Sequence, residues 1–288
     1  MTTAVQVFVN GLVSGGILGL VALGLTVIFG VMRVVNFAHG EFVTVGAYVT
    51  WLVVTYAGVD PLLSLIVALG VGCVLGWITQ RILLARVVGR PDLEVLLLTY
   101  GVSVMLVGLI TAVFSGNFRG YSRGPSGFLQ VGEIVLGMRG LIALGAAVAL
   151  VALAVGILQW TRMGKGIRAL AQHRSAAAAS GVDVPLNESI AFAAATALAA
   201  GAGTILSLIE TITPLVGRSW LLDGFVVVVL GGLGSVSGSL IAALGIGVIR
   251  AALGYVLDDT WARVLTYVLL FVVIILRPQG LLGKEEGL

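Results

Sequence analysis

The sequence predicts an all-α, polytopic helical membrane protein with about 8–9 membrane segments, some of them broken or re-entrant. Of its 288 residues, 59% are hydrophobic and only 10% are charged, whereas soluble domains carry about 25% charged residues. The mean hydropathy is +1.15. The apolar runs are continuous, as in Leu62–Val71 and Leu141–Leu158, and continuous runs favour spanning helices over a barrel, whose strands alternate in polarity.

Apolar stretches separated by polar or turn-forming breaks predict the first spans in order. The C-terminal third is less regular, because its first apolar piece, Leu221–Leu230, is too short to cross a bilayer as a helix. We therefore treat residues 1–288 as a single transmembrane domain that contains a discontinuous helix. The other predicted membrane segments are Val5–Val31, Phe42–Tyr56, Leu62–Leu84, Val95–Phe114, Leu141–Trp160, Ser189–Ile209, Leu240–Leu253 and Trp261–Leu276.

The segment Arg33–Glu41 is unusually polar for a gap between two apolar helices. Ionisable groups at membrane depth cost about 2.5–3.5 kcal/mol each and usually face a cavity or a partner. We expect Asn36, His39 and Glu41 to line or gate a pathway, with Gly40 letting another backbone come close. The alternative is a short solvated turn.

A second break comes after the short apolar piece, at Gly231, Gly232 and Gly234. Irregular backbone is tolerated at membrane depth only where it is buried in protein or lines a cavity. Two parts of the chain have the same order of features. The apolar run Val27–Gly30 is followed by a polar break and a helix rich in small residues, and the apolar run Val228–Gly231 is followed by a glycine-rich break and a helix that begins near Leu240. We interpret this echo as two corresponding broken segments at a transport site, with chance similarity as the alternative.

The most polar island is the loop Thr161–Glu188. It contains an alanine-rich stretch, Ile167–Ser180, that favours a helix, followed by Gly181 at a usual helix-ending position. Basic residues alone are enough to orient a loop in the cytoplasm, and a helix is not required for that purpose. We therefore predict that this loop is a cytoplasmic docking element and not only an orienting loop. Its basic residues include Arg168 and Arg174.

Lys and Arg in short loops indicate orientation. With the polar island in the cytoplasm, the N-terminus lies outside and the tail, with Lys284, lies inside. Arg218 and Arg250 then count among the outside charges. The net charge of +3 reflects these orienting arginines and predicts no nucleic-acid partner.

The sequence lacks the residue patterns of disulfides, metal sites, nucleotide-binding loops and catalytic pairs. Cys73 is the single cysteine, so an intrachain disulfide and a cysteine metal cluster are excluded. His39 and His173 lie in different loops without ligand spacing. The sequence has no GxxxxGK[ST] loop and no paired carboxylates or nucleophile beside a base. We therefore expect a non-enzymatic chain without a cofactor or metal of its own.

The run Gly24–Glu41, GLTVIFGVMRVVNFAHGE, closely resembles the signature of permease subunits of branched-chain amino acid ABC importers. Phe225–Gly238 and Arg277–Leu281 resemble later motifs of the same family. The family also includes urea and short-amide permeases, and Leu93–Ser103 and Leu222–Phe225 look somewhat closer to that branch. The resemblance covers nearly the whole chain and leaves the solute open.

Ser175, Ala176, Ala177 and Gly181 resemble the cytoplasmic coupling motif of ABC permeases, with Ser175 standing where the pattern has Glu. The resemblance implies a bacterial plasma-membrane complex: a second homologous permease, two cytoplasmic ATPases that bind ATP and Mg²⁺, and an extracellular solute-binding protein. A facilitative channel or secondary carrier is the rival from another class, and it has no need of a docking helix. An intramembrane enzyme would need a convergent catalytic pair.

Overall fold

The computed structural model describes residues 2–132, 134–277 and 279–280, and it is all-α apart from one hairpin. The hairpin lies in the loop before the fifth helix and was not predicted. The elements are α1 (Thr2–Met32), α2 (His39–Tyr56), α3 (Pro61–Ile82), α4 (Asp92–Phe114), β1 (Phe128–Val131), β2 (Ile134–Gly137), α5 (Met138–Trp160), α6 (Arg162–Gln172), α7 (Arg174–Ala179), α8 (Val184–Leu206), α9 (Val216–Gly231), α10 (Val236–Val256) and α11 (Asp259–Leu276).

Seven of these helices are long and apolar enough to cross a membrane: α1, α3, α4, α5, α8, α10 and α11. The helices α2 and α9 fall outside this group, although both are largely buried. The predicted short piece Leu221–Leu230 lies within α9, whose 16 residues reach about 24 Å at 1.5 Å per residue. That length is less than the roughly 30 Å of a hydrocarbon core. The prediction of short, broken membrane segments is thus confirmed.

The central pair of helices is α1 and α8. Their most apolar windows are 83% and 78% buried, compared with 11–28% for the other five candidate spans. Small residues permit this packing, as expected for helices in lipid: a side chain at Gly203 of α8 would collide with the backbone of α2 at Val43. The peripheral helices α3, α4, α5, α10 and α11 leave most of their surface outward.

The bundle has two distinguishable ends. At the hairpin end, the Gln6 amide donates to the Val135 carbonyl at 3.0 Å, and Arg123 donates to the Gly58 carbonyl. At the α6 end, Arg33 and His173 border one cavity. Loops therefore alternate between the ends as predicted. In the tail, Pro278, Leu281 and Lys284 lie outside the described residues.

Two groups of helices repeat the same contacts in opposite directions. The helix α1 runs towards the α6 end and packs most extensively on α10, while α8 runs away from that end and packs most extensively on α3. The helix α2 lies against α3 as α9 lies against α10. The contacts of α1–α4 are thus repeated by α8–α11 with the helix directions reversed, which is the pattern expected of the inverted repeats common in transporters.

The repeat differs from the one suggested by the sequence. The echo paired α1 and α2 with α9 and α10, whereas the contacts make α8 and α9 the counterparts. Gly40 and Gly217, the second residues of α2 and α9, meet where the repeats join, and a Cβ at either glycine would collide with the backbone oxygen of the other. The contacts therefore favour a different pairing of helices from the one in the echo, and the transport site that the echo suggested stays a prediction.

Candidate translocation and coupling sites

The first break begins where α1 ends at Met32. Arg33 has φ 53°, a left-handed conformation that costs a non-glycine residue about 1–2 kcal/mol, and its backbone N–H donates to the Phe29 carbonyl at 2.8 Å. The chain then turns back towards the bundle centre. The Asn36 side chain accepts a hydrogen bond from the Ala38 N–H at 3.0 Å, which shapes the last turn before α2 starts at His39.

The structure places His39 and Glu41 in different surroundings. The His39 ring nitrogen Nε2 lies 3.2 Å from the Val21 carbonyl of α1. Gly24 makes room for the ring, because a Cβ at that position would lie 2.7 Å from His39 Cε1. The Glu41 carboxylate instead accepts a hydrogen bond from Ser103 of α4 at 2.9 Å. The two predicted pathway residues thus do not converge on one point.

Three polar atoms in this break have no hydrogen-bond partner among the described residues: Asn36 Nδ2, His39 Nδ1 and Glu41 Oε2. Asn36, His39 and Glu41 are each at most 1% exposed. An unsatisfied buried polar group costs about 1–3 kcal/mol, and more when it is charged. Three of the seven such atoms found among the described residues lie in this one segment.

The expected close backbone approach at Gly40 is present, and its partner is the start of α9. The Gly217 N–H donates to the Thr44 hydroxyl at 3.0 Å, which ties the first turn of α9 to α2. Arg218 follows on α9, is exposed, and acts electrostatically on the Glu41 carboxylate. Arg218 therefore lies near the first break, next to the contact between Gly40 and Gly217, which its place among the expected outside charges did not suggest.

The second break lies at the other end of α9. The helix ends at Gly231, and Gly232 and Gly234 have φ 98° and 81°, so the left-handed turn needs glycine. Fourteen residues at 1.5 Å each put Gly231 about 21 Å from Gly217. The two predicted breaks are thus separate places, and each has its own neighbours.

A segment near the end of the described chain packs on this second break. A Cβ at Gly280 would lie 2.7 Å from the Gly232 backbone nitrogen, and Gly280 itself has φ 81°. The two later sequence motifs, around Gly232 and around Gly280, therefore contact each other directly.

The polar island forms two helices rather than the single predicted one. His173 interrupts it with φ −156° and ψ 103° and caps α7, because its ring nitrogen Nδ1 accepts from the Ala176 N–H at 3.3 Å. The island also ends earlier than predicted: α8 begins at Val184, so Glu188 lies in its second turn. Histidine is not a usual N-cap residue, which is why the interruption left no clear sequence signal.

The predicted coupling residues are divided between inward and outward faces. Ala177 is 5% exposed and packs on the core, whereas Ser175 and Ala176 face outward. Gly181 ends α7 with φ 83°, and the following N–H of Val182 donates to the Ala177 carbonyl at 3.1 Å. The expectation of a glycine-ended helix is confirmed.

Two arginines fasten these short helices to the spans. The Arg174 guanidinium lies 2.5 Å from the Glu188 carboxylate, which is only 6% exposed. The Arg168 guanidinium donates to the Gln159 carbonyl of α5 at 3.2 Å. The helices α6 and α7 are thus tied both to the end of α5 and to the start of α8.

A cavity of about 710 Å³ opens between these short helices and the ends of α1 and α8. Arg33, His173, Arg174, Ser175 and Pro185 are among its lining residues. A movement of α7 would therefore change the space directly below the first break.

A buried ion pair connects the last three helices. Arg250 of α10 pairs with Asp223 of α9, and their side chains are 15% and 7% exposed. The Tyr267 hydroxyl of α11 donates to the same carboxylate at 3.1 Å. Arg250 was counted only as an outside charge, and its ion pair within the bundle was not predicted.

The loop between α4 and the hairpin forms a strap across the hairpin end. The Arg119 guanidinium lies 4.9 Å from the Trp51 ring centre, and Tyr121 and Ser207 hydroxyls are 2.8 Å apart. Burial raises the pKa of the Tyr121 phenol, against the smaller lowering effect of the Ser207 hydrogen bond. This strap was missed, because its aromatic and arginine partners are distant in sequence.

Comparison with known proteins gives a consistent result. The family described as "Branched-chain amino acid transport system / permease component" matches residues 7–276. The high-affinity branched-chain amino acid transport system permease protein LivH of Escherichia coli is 28% identical, over 98% of this chain and 96% of its own. BraD of Pseudomonas aeruginosa, a permease protein of the same description, is 28% identical over 98% and 96%.

A more distant relative is also similar along its length. The probable branched-chain amino acid transport permease protein LivH of Methanocaldococcus jannaschii is 27% identical, over 96% of this chain and 91% of its own. No solved structure matches the chain significantly.

Proposed function

The chain belongs to the permease-component family of branched-chain amino acid transport systems, and from this premise we propose that it carries branched-chain amino acids inward as one subunit of an ATP-driven importer. Members of the family are transmembrane transport subunits, and the seven candidate spans fit a multi-pass plasma-membrane protein. The observation that carries the proposal is the match over residues 7–276 together with relatives of the same description along their whole length.

In this proposal, the partners are a second homologous permease, two cytoplasmic ATPases and an extracellular solute-binding protein. The partner ATPases bind ATP and Mg²⁺, and this chain carries out no covalent chemistry. The outward surfaces of α3, α4, α5, α10 and α11 are available to lipid and to the second permease. This accounts for their apolar exposure, since a large exposed apolar surface marks a membrane or protein contact.

The proposed contact with the ATPases is the pair α6 and α7. Ser175 and Ala176 are presented outward on α7, while Arg174 links this helix to Glu188 at the start of α8. A push on α7 would reach α8, one of the two central helices, without passing through a flexible loop. Arg168 gives α6 the corresponding link to α5.

The path of the solute is proposed to pass the first break. The segment Asn36–Glu41 combines buried unpaired polar atoms with a glycine contact between the two repeats. Relative movement of the repeats would be felt first where Gly40 and Gly217 meet. The second break, at Gly231, Gly232 and Gly234, is proposed to bend as α9 moves.

The test is uptake by the reconstituted complex. The chain is co-purified with its partner subunits, placed in vesicles with the solute-binding protein, and supplied with ATP and either labelled leucine or labelled urea. We expect ATP-dependent accumulation of leucine, with little accumulation of urea. Accumulation of leucine without ATP would favour a carrier or channel, and accumulation of urea alone would overturn the proposed substrate.

A further inference from the structure

Glu41 is a buried carboxylate that is only half satisfied. Its oxygen Oε1 accepts from the Ser103 hydroxyl at 2.9 Å, but Oε2 has no hydrogen-bond partner among the described residues. The side chain is 1% exposed, so bulk water does not satisfy it in this arrangement. A buried carboxylate oxygen without a donor calls for a cation or another donor.

The cation that acts on this carboxylate is Arg218. Its charge acts on the Glu41 carboxylate, yet no ion pair within 4.0 Å joins them among the described residues. Glu41 and Arg218 each follow one of the two glycines that contact each other here, Gly40 and Gly217, so the two charges lie on adjoining helix starts without forming an ion pair. The Gly217 N–H is already used by Thr44 and the Arg218 N–H by Leu215, so side chains rather than helix ends supply the charge here.

Beside these charges lies a partly open apolar surface. Arg218, Leu222 and Phe225 follow one face of α9 at helical spacing, and none of the three is buried. Phe225 stacks against Phe37 with ring centres 5.6 Å apart. Phe37 precedes Glu41 in the first break, so the polar pair and the aromatic pair are contributed by the same two segments.

The helix α4 covers this place. Its Thr99 hydroxyl accepts from the Phe37 N–H at 3.3 Å, and its Ser103 hydroxyl binds Glu41 one turn further on. The contacts of α4 with the rest of the bundle are made chiefly with α2. A displacement of α4 would therefore open Glu41 without dismantling the central pair α1 and α8.

We propose that Glu41 and Arg218 form a subsite for the zwitterionic head of an α-amino acid. The ammonium group of the solute binds Glu41 Oε2, the carboxylate binds Arg218, and the side chain lies along Phe37 and Phe225. An α-amino acid supplies both charges a few ångströms apart and leaves neither protein charge unpaired. Urea and short amides supply neither charge, so the subsite favours amino acids. This inference rests on the proposed function.

The test compares charge-neutral variants in the complete transporter. Glu41→Gln and Arg218→Gln are purified with the partner subunits, and binding of leucine, leucinamide and isovaleramide is measured by calorimetry without the solute-binding protein. Matched controls are Glu94→Gln and Arg263→Gln, which remove exposed charges that are each paired with a residue four positions earlier. Thermal unfolding in detergent checks that each variant is folded.

We expect each subsite variant to weaken leucine binding at least tenfold, while both controls bind as the wild type does. Arg218→Gln should also abolish the preference for leucine over leucinamide, which lacks the carboxylate. Because Arg218 is exposed, that variant carries the test if Glu41→Gln fails to fold.

The outcomes separate the two claims. Leucine uptake by the wild type, with unchanged leucine binding in both folded variants, overturns the subsite alone. A wild-type complex that carries urea but not leucine overturns the proposed function and the subsite together.

Discussion

Individual charged residues in this molecule differ sharply in their contribution to stability, and the pair of Arg250 and Asp223 is the clearest case. The pair is largely buried, and Tyr267 satisfies the remaining carboxylate oxygen. Removal of one member of such a pair leaves an uncompensated buried charge, which typically costs about 3–5 kcal/mol. The ion pair of Arg263 with Asp259 is exposed on both sides and belongs to a class worth about 0.3–0.5 kcal/mol.

We therefore predict that Arg250→Met destabilises the protein by about 3–5 kcal/mol, whereas Arg263→Met has an effect below about 0.5 kcal/mol. The measurement is the thermal unfolding temperature of the purified chain in detergent. Equal shifts for the two variants would contradict the view that burial decides the effect of these arginines.

The polar residues of the first break could be predicted from the sequence, but their partners could not. Asn36, His39 and Glu41 were singled out because they interrupt apolar sequence, and their burial agrees with that interpretation. Their partners were not identified, because Ser103 and Arg218 lie in other helices and no local pattern links them to Glu41. Long-range pairing depends on the fold, which single-residue polarity does not encode.

Among the elements, α7 has the most specific consequence. Apart from Arg174, its outward residues are small, so a partner can approach its backbone closely, while Ala177 on another face fills a space in the core. The two faces can be changed separately, because adjacent positions on a helix point about 100° apart.

We predict that Ala176→Trp lowers solute uptake at least tenfold while ATP hydrolysis by the complex continues, because the bulky ring keeps the ATPase away from α7. Ala177→Trp should instead lower the thermal stability of the isolated chain, since the ring cannot fit the core. Uptake and ATP hydrolysis in vesicles, with unfolding in detergent, distinguish the two. Normal coupled uptake by Ala176→Trp would remove α7 from the proposed ATPase contact.

The element scale shows where sequence patterns succeed. Long apolar runs predicted the spans, with ends shifted by a few residues because polar residues such as Asp92 and Glu188 lie inside helices. The interruption at His173 was missed, because alanine-rich sequence on both sides favours a continuous helix. Tertiary anchoring through Arg174 and Glu188 accompanies the break there.

At the scale of the whole molecule, the two helix groups α1–α4 and α8–α11 meet at a contact between two glycines. A Cβ at Gly40 would collide with Gly217, and a Cβ at Gly217 would collide with Gly40. Both helices thus depend on the absence of a side chain at this contact. Neither helix group can move past the other without changing the contact.

We predict that Gly40→Ala and Gly217→Ala each lower stability and uptake, and that the double variant is less harmful than the sum of the two. Once one methyl group has separated the helices, the second finds part of its space already open, so the effects are not additive. Gly101→Ala in α4 is the control, because no atom lies within 4 Å of its added Cβ. Strict additivity of the unfolding free energies would contradict a shared contact.

During synthesis of the protein, α1 must wait before it can pack on α10. The helix α1 ends at Met32, but its most extensive partner begins only at Val236. A ribosome adding about 5–20 residues per second needs about 10 to 40 seconds to reach that partner. During this interval, the glycine-lined face of α1 enters the bilayer without its final neighbour. We expect the nascent chain to depend on the insertion machinery for longer than a protein whose helices pair in order.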